Sequence, residues 1–488
     1  MFAAHRFEKI GSLMNRMLPL AIAKLCLVAF PPYTYAQTQT ETQPTFSFNA
    51  TRAMQWLPLS GDEADGIIFP VTVNGQATYA DIDTGSTVSD VALFSSKLVP
   101  LADGAKDAKT ISAKGYGGVS HYPIRRADSL VIGGLTLLNQ QVAVTDQPLS
   151  RDDRVGVTIG INLLMGLTLQ VDWENRRARF LLGGDLPKDS GTVTVAIETR
   201  TRFPVVDAEI CGIQVKALLD TGTDSDVHLV PEQEKLWECA APVRSDIRSI
   251  GAGGPIIKGL ASLPTARIGG RPMGPTMASI DPEGGPLSRW GFSASVGTGL
   301  LRRSNFVLDA GSSALAFYGP DRTARVTDRT RIGIQYRPDG NGLLITHIMK
   351  ASPASQTILK PGDRICTLNG RTIEALAGKY GDISPPVGKT ARIGVCAGPT
   401  VSIVASDYLA FPGTPDIAFP AGTPAVPEPA GVGRVTEAFS RCISLSGEEM
   451  AEACSIVLNA PRVANFWKET ARKRQATAFP NAATPGIP

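Results

Sequence analysis

Asp83 and Asp220 each open an Asp-Thr-Gly triplet, in "DIDTGSTVSD" (81–90) and "LLDTGTDSDV" (218–227). A single triplet of this kind reads equally well as a strand-to-turn junction. A pair of them can do chemistry. Two carboxyls about 3 Å apart cannot both ionise, so they share one proton. The carboxylate can then take a proton from a water while its protonated partner donates to a carbonyl. Glycine suits the third place because the loop backbone must turn tightly beside the carboxyl.

The two triplets belong to a longer repeat. Asp83 and Asp220 are 137 residues apart, and the same offset relates Gly75 to Gly212, Gly160 to Gly297, Asp172 to Asp309, and Phe180 to Phe317. One register kept over about a hundred residues is an internal duplication. Each copy reads as β-structure. "VTVNGQATYADI" alternates around an Asn-Gly hairpin signal, and Cys-Gly takes its place in the second copy. "SLVIGGLTL" and "TARIGGRPM" read as strands broken by Gly-Gly. The glycine-rich stretches at 113–120 and 251–259 are either plain hairpin tips or flaps over a cleft.

On these motifs the sequence resembles the aspartic proteases of the retropepsin-like and pepsin-like kind. "DTGS" in the first copy and "DTGT" in the second match the order typical of pepsin-like enzymes, and "IGINLL" (159–164) resembles the Gly-x-Asn-Leu-Leu segment of retroviral proteases. The resemblance covers roughly 50–320. It implies a mainly β, bilobal, duplicated fold with Asp83 and Asp220 as the catalytic pair. Thr84 and Thr221 would cross-link the two loops, Gly85 and Gly222 would allow the tight turns, and Ser86 and Thr223 would donate to the outer carboxyl oxygens. Such donation favours the ionised form and would lower the pair's apparent pKa values. Tyr116 is the candidate flap aromatic, with a mere turn residue as the alternative. Two departures stand out. Thr158-Ile159 and Ser295-Val296 are half polar where the family has two apolar residues, and Asp224 and Asp226 add negative charge beside the second triplet. They leave open a site that binds peptides without useful turnover.

Stepping outward, "RIGIQY" (331–336), "GLLITHIMKASPAS" (342–355) and "LKPGDRICTLNGRTI" (359–373) resemble a PDZ domain of the bacterial protease-associated kind. Arg331, Ile332, Gly333 and Ile334 sit where that family's carboxylate-binding loop lies, so a peptide C-terminus is the implied partner. A closed β-domain that only braces the protease is the alternative. Residues 406–433 are rich in Pro, Ala and Gly and read as a linker. Two short amphipathic patterns split by Ser446-Gly447 predict a helical hairpin.

The N-terminus has the pattern of an export signal. A basic start (His5, Arg6, Lys9, Arg16) precedes the mostly apolar stretch from Met17 to Phe30, and Thr34-Tyr35-Ala36 offers a cleavage site. An uncleaved anchor is the alternative, but the run is short and Lys24 interrupts it. Of seven cysteines, cleavage would remove Cys26 and leave six in three local groups, Cys211 with Cys239, Cys366 with Cys396, and Cys442 with Cys454. Three disulfides fit an oxidising compartment, and buried thiols are the alternative.

Composition bounds the rest. In 488 residues, 43% are hydrophobic and 19% charged, which excludes wholesale disorder. A net charge of +3 gives no argument for nucleic acid. The four histidines lie far apart in sequence and no metal-ligand spacing occurs, so neither a metal nor another cofactor is expected. The expected layout is a signal peptide at 1–36, a polar lead-in at 37–50, protease lobes at 51–186 and 187–320, a PDZ-like α/β domain at 325–405, the linker at 406–433, the short helical hairpin at 434–475 and a disordered tail at 476–488. The expected protein is a periplasmic or secreted endopeptidase acting on polypeptides, monomeric as a protease unit, with no stable membrane span once the signal is removed. A peptide-binding envelope protein is the alternative.

Overall fold

The computed structural model describes residues 45–60, 66–86, 92–100, 109–115, 118–150, 152, 154–184, 193–198, 203–232, 239, 244–251, 254–319, 330–376, 383, 385–409, 431–460, 463 and 465–478. The expected signal peptide, Tyr116, most of the linker and residues 479–488 lie outside them. The protein is mainly β.

Each repeat folds around the same knot of strands. In the first, strand Gln76–Asp83 runs into the triplet, and strand Val155–Gly160 lies parallel to it with Asp83 opposite Gly160. Strand Ala92–Ser95, which resumes after the loop, pairs with the other side of Val155–Gly160. The second repeat does the same. Strand Ile213–Asp220 lies parallel to Ala294–Gly297 with Asp220 opposite Gly297, and Val227–Leu229 covers the far edge. Each triplet is therefore seated beside a central strand whose terminal glycine leaves room for the loop backbone, since a Cβ on Gly160 would lie 2.6 Å from the Ser86 carbonyl and one on Gly297 2.8 Å from the Thr223 carbonyl. Side chains along the central strands are buried, including Thr158 and Ser295, the half-polar positions noted above.

The repeats are welded by a sheet. Hairpin strands Leu167–Asp172 and Arg177–Leu182 of the first repeat join Asn305–Asp309 and Ala314–Tyr318 of the second, with Thr168 opposite Asp309 and Val171 opposite Phe306. Asp172 and Asp309 cap equivalent turns, accepting the Asn175 and Ser312 amides at 3.1 and 2.9 Å. Over each repeat stands a long hairpin, Thr110–Gly115 with Gly118–Ile132 and Arg244–Gly251 with Gly254–Ile268.

Two expected boundaries need correction. Residues 45–50, the described part of the lead-in expected at 37–50, already belong to the fold. Thr45–Phe48 pairs with Leu135–Thr145, and a short helix, Ala50–Ala53, follows with Asn49 as its cap. The C-terminal region is more than the hairpin expected at 434–475, and residues 479–488 of the expected tail lie outside the described residues. It has three helices, Arg434–Ser444, Gly447–Asn459 and Asn465–Ala478. Their apolar faces join the protease core. Trp467 packs on Phe48 and Phe439 with ring centroids 5.3 and 5.5 Å away, and the Leu182 amide donates to Thr436 Oγ1 at 2.9 Å. Phe48, Phe439 and Trp467 pack on one another from distant segments and join the common core, so neither segment stands apart.

Residues 334–404 form a separate sheet in the order Ile334–Asp339, Gly342–Ile348, Arg364–Leu368, Thr390–Val395, Thr400–Val404, around its own core of Ile334, Leu343, Ile345, Ile365, Leu368 and Ile393. Disulfides join Cys211 to Cys239, Cys366 to Cys396 and Cys442 to Cys454, with Cα separations of 6.2, 5.1 and 4.7 Å. Among the described residues no helix is long and apolar enough to cross a membrane.

Candidate active site

The two triplet loops meet on the pseudo-two-fold axis between the repeats. The Thr84 amide donates to Thr221 Oγ1 at 3.0 Å, and the Thr221 amide donates to Thr84 Oγ1 at 3.0 Å. Each hydroxyl then donates onward to a carbonyl of the opposite loop, Thr84 to Leu219 at 2.6 Å and Thr221 to Ile82 at 2.8 Å. Both threonines are buried. All four bonds obey the repeat, so each loop is fixed by the other.

This lock brings each glycine against the opposite carboxyl. A Cβ on Gly85 would lie 2.5 Å from Asp220 Oδ1, and one on Gly222 would lie within 2.7 Å of three Asp83 carboxyl atoms. Only glycine leaves room for the two carboxyls to face each other. Asp83 is partly open, and Asp220 is buried with Oδ1 accepting the Gly222 amide at 3.1 Å. Burial and the charge of Asp220 push the Asp83 carboxyl well above the ordinary carboxylate range, against the pull of the Gly85 and Ser86 amides. Burial also raises Asp220, opposed by the hydrogen bond from Asp83, by Lys258 and by the Gly222 amide.

Ser86 and Thr223 anchor the loops through their backbones. The Ser86 carbonyl accepts the Ile161 amide at 3.2 Å, and the Thr223 carbonyl accepts the Thr298 amide at 2.9 Å. The resemblance implied that the Thr223 hydroxyl would donate to the outer oxygen of Asp220. That hydroxyl lies 3.1 Å from His228 Nε2. The expected lowering of the pair gives way to burial, which dominates both carboxyls. The two extra aspartates also part company. Asp224 is half-buried, whereas Asp226 is fully enclosed and bound by Arg303 at 2.7 Å, the Thr276 hydroxyl at 2.9 Å and the Met277 amide at 2.9 Å. Its charge is neutralised inside the lobe rather than screened by solvent.

Three polar residues near the pair carry no motif. His228 Nδ1 lies 3.1 Å from Lys258 Nζ, and Lys258 Nζ lies 3.1 Å from Asp281 Oδ1, with all three side chains buried. Lys258 sits in the second glycine-rich stretch, and a charged side chain there reads as solvated in the sequence. His228 is one of four scattered histidines. Neither carries a signal that its neighbours in space supply. Among the described residues no cluster of side chains fits a metal ion.

Away from the pair, Arg331, Ile332, Gly333 and Ile334 form the turn entering the edge strand of the smaller sheet. Ile332 and Ile334 are buried, and Gly333 has φ +79. The Gly333 amide donates to Thr330 Oγ1 at 3.0 Å, while the carbonyls of Arg331 and Ile332 accept the Ser406 and Ala354 amides. The sheet order leaves Ile334–Asp339 at an edge. This smaller domain is docked on the outer strand of the second long hairpin. Asp246 Oδ1 accepts from the Lys350 amide at 2.7 Å and pairs with His347 Nε2 at 3.0 Å, and the Gln335 side-chain amide bonds both the amide and the carbonyl of Arg248. Leu260, Met277, Met349 and Leu409 form a small apolar seam beside these contacts.

Residues 69–167 match the family model of an aspartyl protease, and residues 324–378 match that of a PDZ domain. The first span contains Asp83, and Asp220 lies in the second repeat beyond it. No curated protein matches the chain at a significant level. The reciprocal threonine lock and the docked smaller sheet thus belong to a chain that carries an aspartyl protease domain and a PDZ domain.

Proposed function

We propose that the protein is an exported aspartic endopeptidase whose two lobes, in one chain, form a monomeric catalytic unit. The observation that carries this reading is the mutual placement of Asp83 and Asp220, each backed by the other loop's glycine and held by the Thr84–Thr221 lock. Asp83, the more strongly raised of the pair, holds the shared proton, and Asp220 is the carboxylate. A water between them loses a proton to Asp220 as its oxygen attacks the scissile carbonyl, and Asp83 donates its proton to the carbonyl oxygen. The tetrahedral diol then collapses as Asp220 gives its proton to the amide nitrogen and Asp83 takes one from a diol hydroxyl, which leaves the pair with one shared proton. The long hairpins would be the flaps of such an enzyme.

The remaining regions follow from this reading. The lobes correspond to 51–186 and 187–320, with residues 45–50 and the three C-terminal helices packed on the first. The PDZ domain, 325–405, takes up a peptide C-terminus at Arg331–Ile334 by strand addition along Ile334–Asp339. Three disulfides agree with an oxidising compartment and so with export. Cleavage of denatured casein, blocked by a statine-type inhibitor and absent in Asp83→Asn, is the expected result. Binding of peptides without turnover at any pH would leave a peptide-binding envelope protein instead.

A further inference from the structure

Lobe 2 holds a buried lysine near the aspartic pair, and the equivalent place in lobe 1 holds none. Lys258 is 1% exposed, although it lies only four residues beyond Gly254 at the tip of its hairpin. It forms an ion pair with Asp281 at 3.1 Å and lies 3.1 Å from His228 Nδ1. A charged Lys258 donates to Nδ1, which places the single proton of a neutral His228 on Nε2, facing Thr223 Oγ1 at 3.1 Å. Burial and the Lys258 charge together hold His228 neutral, well below its usual range. Thr223 stands in the same loop as Asp220, and its amide closes the turn on the Asp220 carbonyl at 3.4 Å.

The ladders identify what stands at these places in lobe 1. Leu93 faces Thr158 as His228 faces Ser295. Tyr122 precedes Ile124, which faces Ala143, as Lys258 precedes Leu260, which faces Ser279. Thr145 follows Ala143 as Asp281 follows Ser279. An apolar residue, a phenol and a hydroxyl thus replace the histidine, lysine and aspartate. At these equivalent positions the positive charge stands on the lobe 2 side.

We propose that Lys258 is a positioning residue of the aspartic pair, acting through space and through His228 and Thr223 to keep the negative charge on Asp220 and the shared proton on Asp83. The charged groups facing it are Asp281, Asp220 and Asp224, and Glu232 acts in turn on Asp281. Burial weakens the ammonium, and Asp281 opposes this most strongly. Asp226 adds no net charge, because Arg303 neutralises it.

The inference rests on the proposed proteolysis, and its test separates the two. In the full chain, kcat/KM is measured from about pH 3 to about pH 8 for the wild type, Lys258→Met, Lys258→Arg and Lys258→Met/Asp281→Asn. The double variant avoids leaving Asp281 charged and unpaired if the single one fails to fold. Loss of the cation makes the first ionisation of the pair harder. The acid limb should move up by about one pH unit in the Met variants and return toward the wild-type position in Lys258→Arg. A merely structural role would lower kcat at all pH values without moving the limb, and that result overturns the proposal. Carbon-13 titration of labelled aspartate carboxyls reads the same shift without turnover. A wild type that cleaves nothing while its carboxyl titration moves on loss of Lys258 overturns the proteolytic reading and keeps the role of Lys258. A carboxyl titration that stays in place overturns Lys258.

Discussion

Thr84 and Thr221 exchange backbone amide–hydroxyl bonds across the lobe interface, both at 3.0 Å, 137 residues apart in the chain. Replacing either hydroxyl leaves a buried amide and a buried carbonyl of the other loop without partners. Thr84→Val or Thr221→Val should therefore cost about 2–3 kcal/mol in urea unfolding. Serine at either place should keep most of that stability. The double variant should lose less than the two single losses added together, because one network is broken twice. Additive losses would contradict a reciprocal lock.

The aspartic pair trades stability for function. Asp83 is held above its unfolded value, so folding binds a proton there. Stability from this site is full below the unfolded pKa and falls as pH rises toward the folded one. Asp83→Asn should abolish turnover, by roughly 10³-fold or more. It should also raise the melting temperature at neutral pH, because the cost of ionising the buried carboxyl disappears. The gain should vanish near about pH 3, where both states are protonated. Asp220→Asn should be equally inactive. Substantial turnover in either variant would contradict the mechanism.

Asp246 carries the opposite sign. Burial works against its charge, but the Lys350 amide, His347 and the Lys350 ammonium together hold its carboxyl below the ordinary range. Its contribution is present above the unfolded pKa and is lost as pH falls through the folded one. Asp246→Asn should destabilise the docked PDZ domain by on the order of 1 kcal/mol at neutral pH and leave it unchanged below about pH 3. Amide exchange in Arg244–Gly251 and at Lys350 is the direct readout. Equal protection in the variant and the wild type would show that the carboxylate does not hold the two parts together.

The C-terminal helices should behave as part of the protease. Phe439→Ala or Trp467→Ala removes an aromatic shared with Phe48, and each should cost about 3–5 kcal/mol. One cooperative unfolding transition is expected for lobe 1 and the helices together. A separate early transition for the helices would contradict the shared core.

Much of the fold was legible because duplication and turn chemistry are local signals repeated at one offset. Asp83, Asp220, the glycines opposite them and the three cysteine pairs could all be named from short stretches. Other features could not. Phe48, Phe439 and Trp467 lie on short segments whose apolar faces show no partner until the chain folds, so the first segment read as a lead-in and the last as a separate hairpin. Lys258 and His228 follow no spacing rule, since what matters about them is burial beside Asp281. Asp246 and His347 meet across 101 residues, between a hairpin strand and a domain that look independent in the sequence. The Thr223 hydroxyl was assigned by analogy to Asp220, and His228, which the analogy does not contain, lies 3.1 Å from it.

A peptide has a direction, and a catalytic cleft with true two-fold symmetry reads it the same way from either end. The hairpin above lobe 2 is tied to a second domain and hides a lysine, while its counterpart carries Tyr122 and has no such tether among the described contacts. The cleft has a left and a right. On the proposed proteolysis, a bound chain would have one favoured orientation, and the residues before and after the cut would meet unlike walls. Preferences on the two sides of the scissile bond can change independently, which two identical halves could never do.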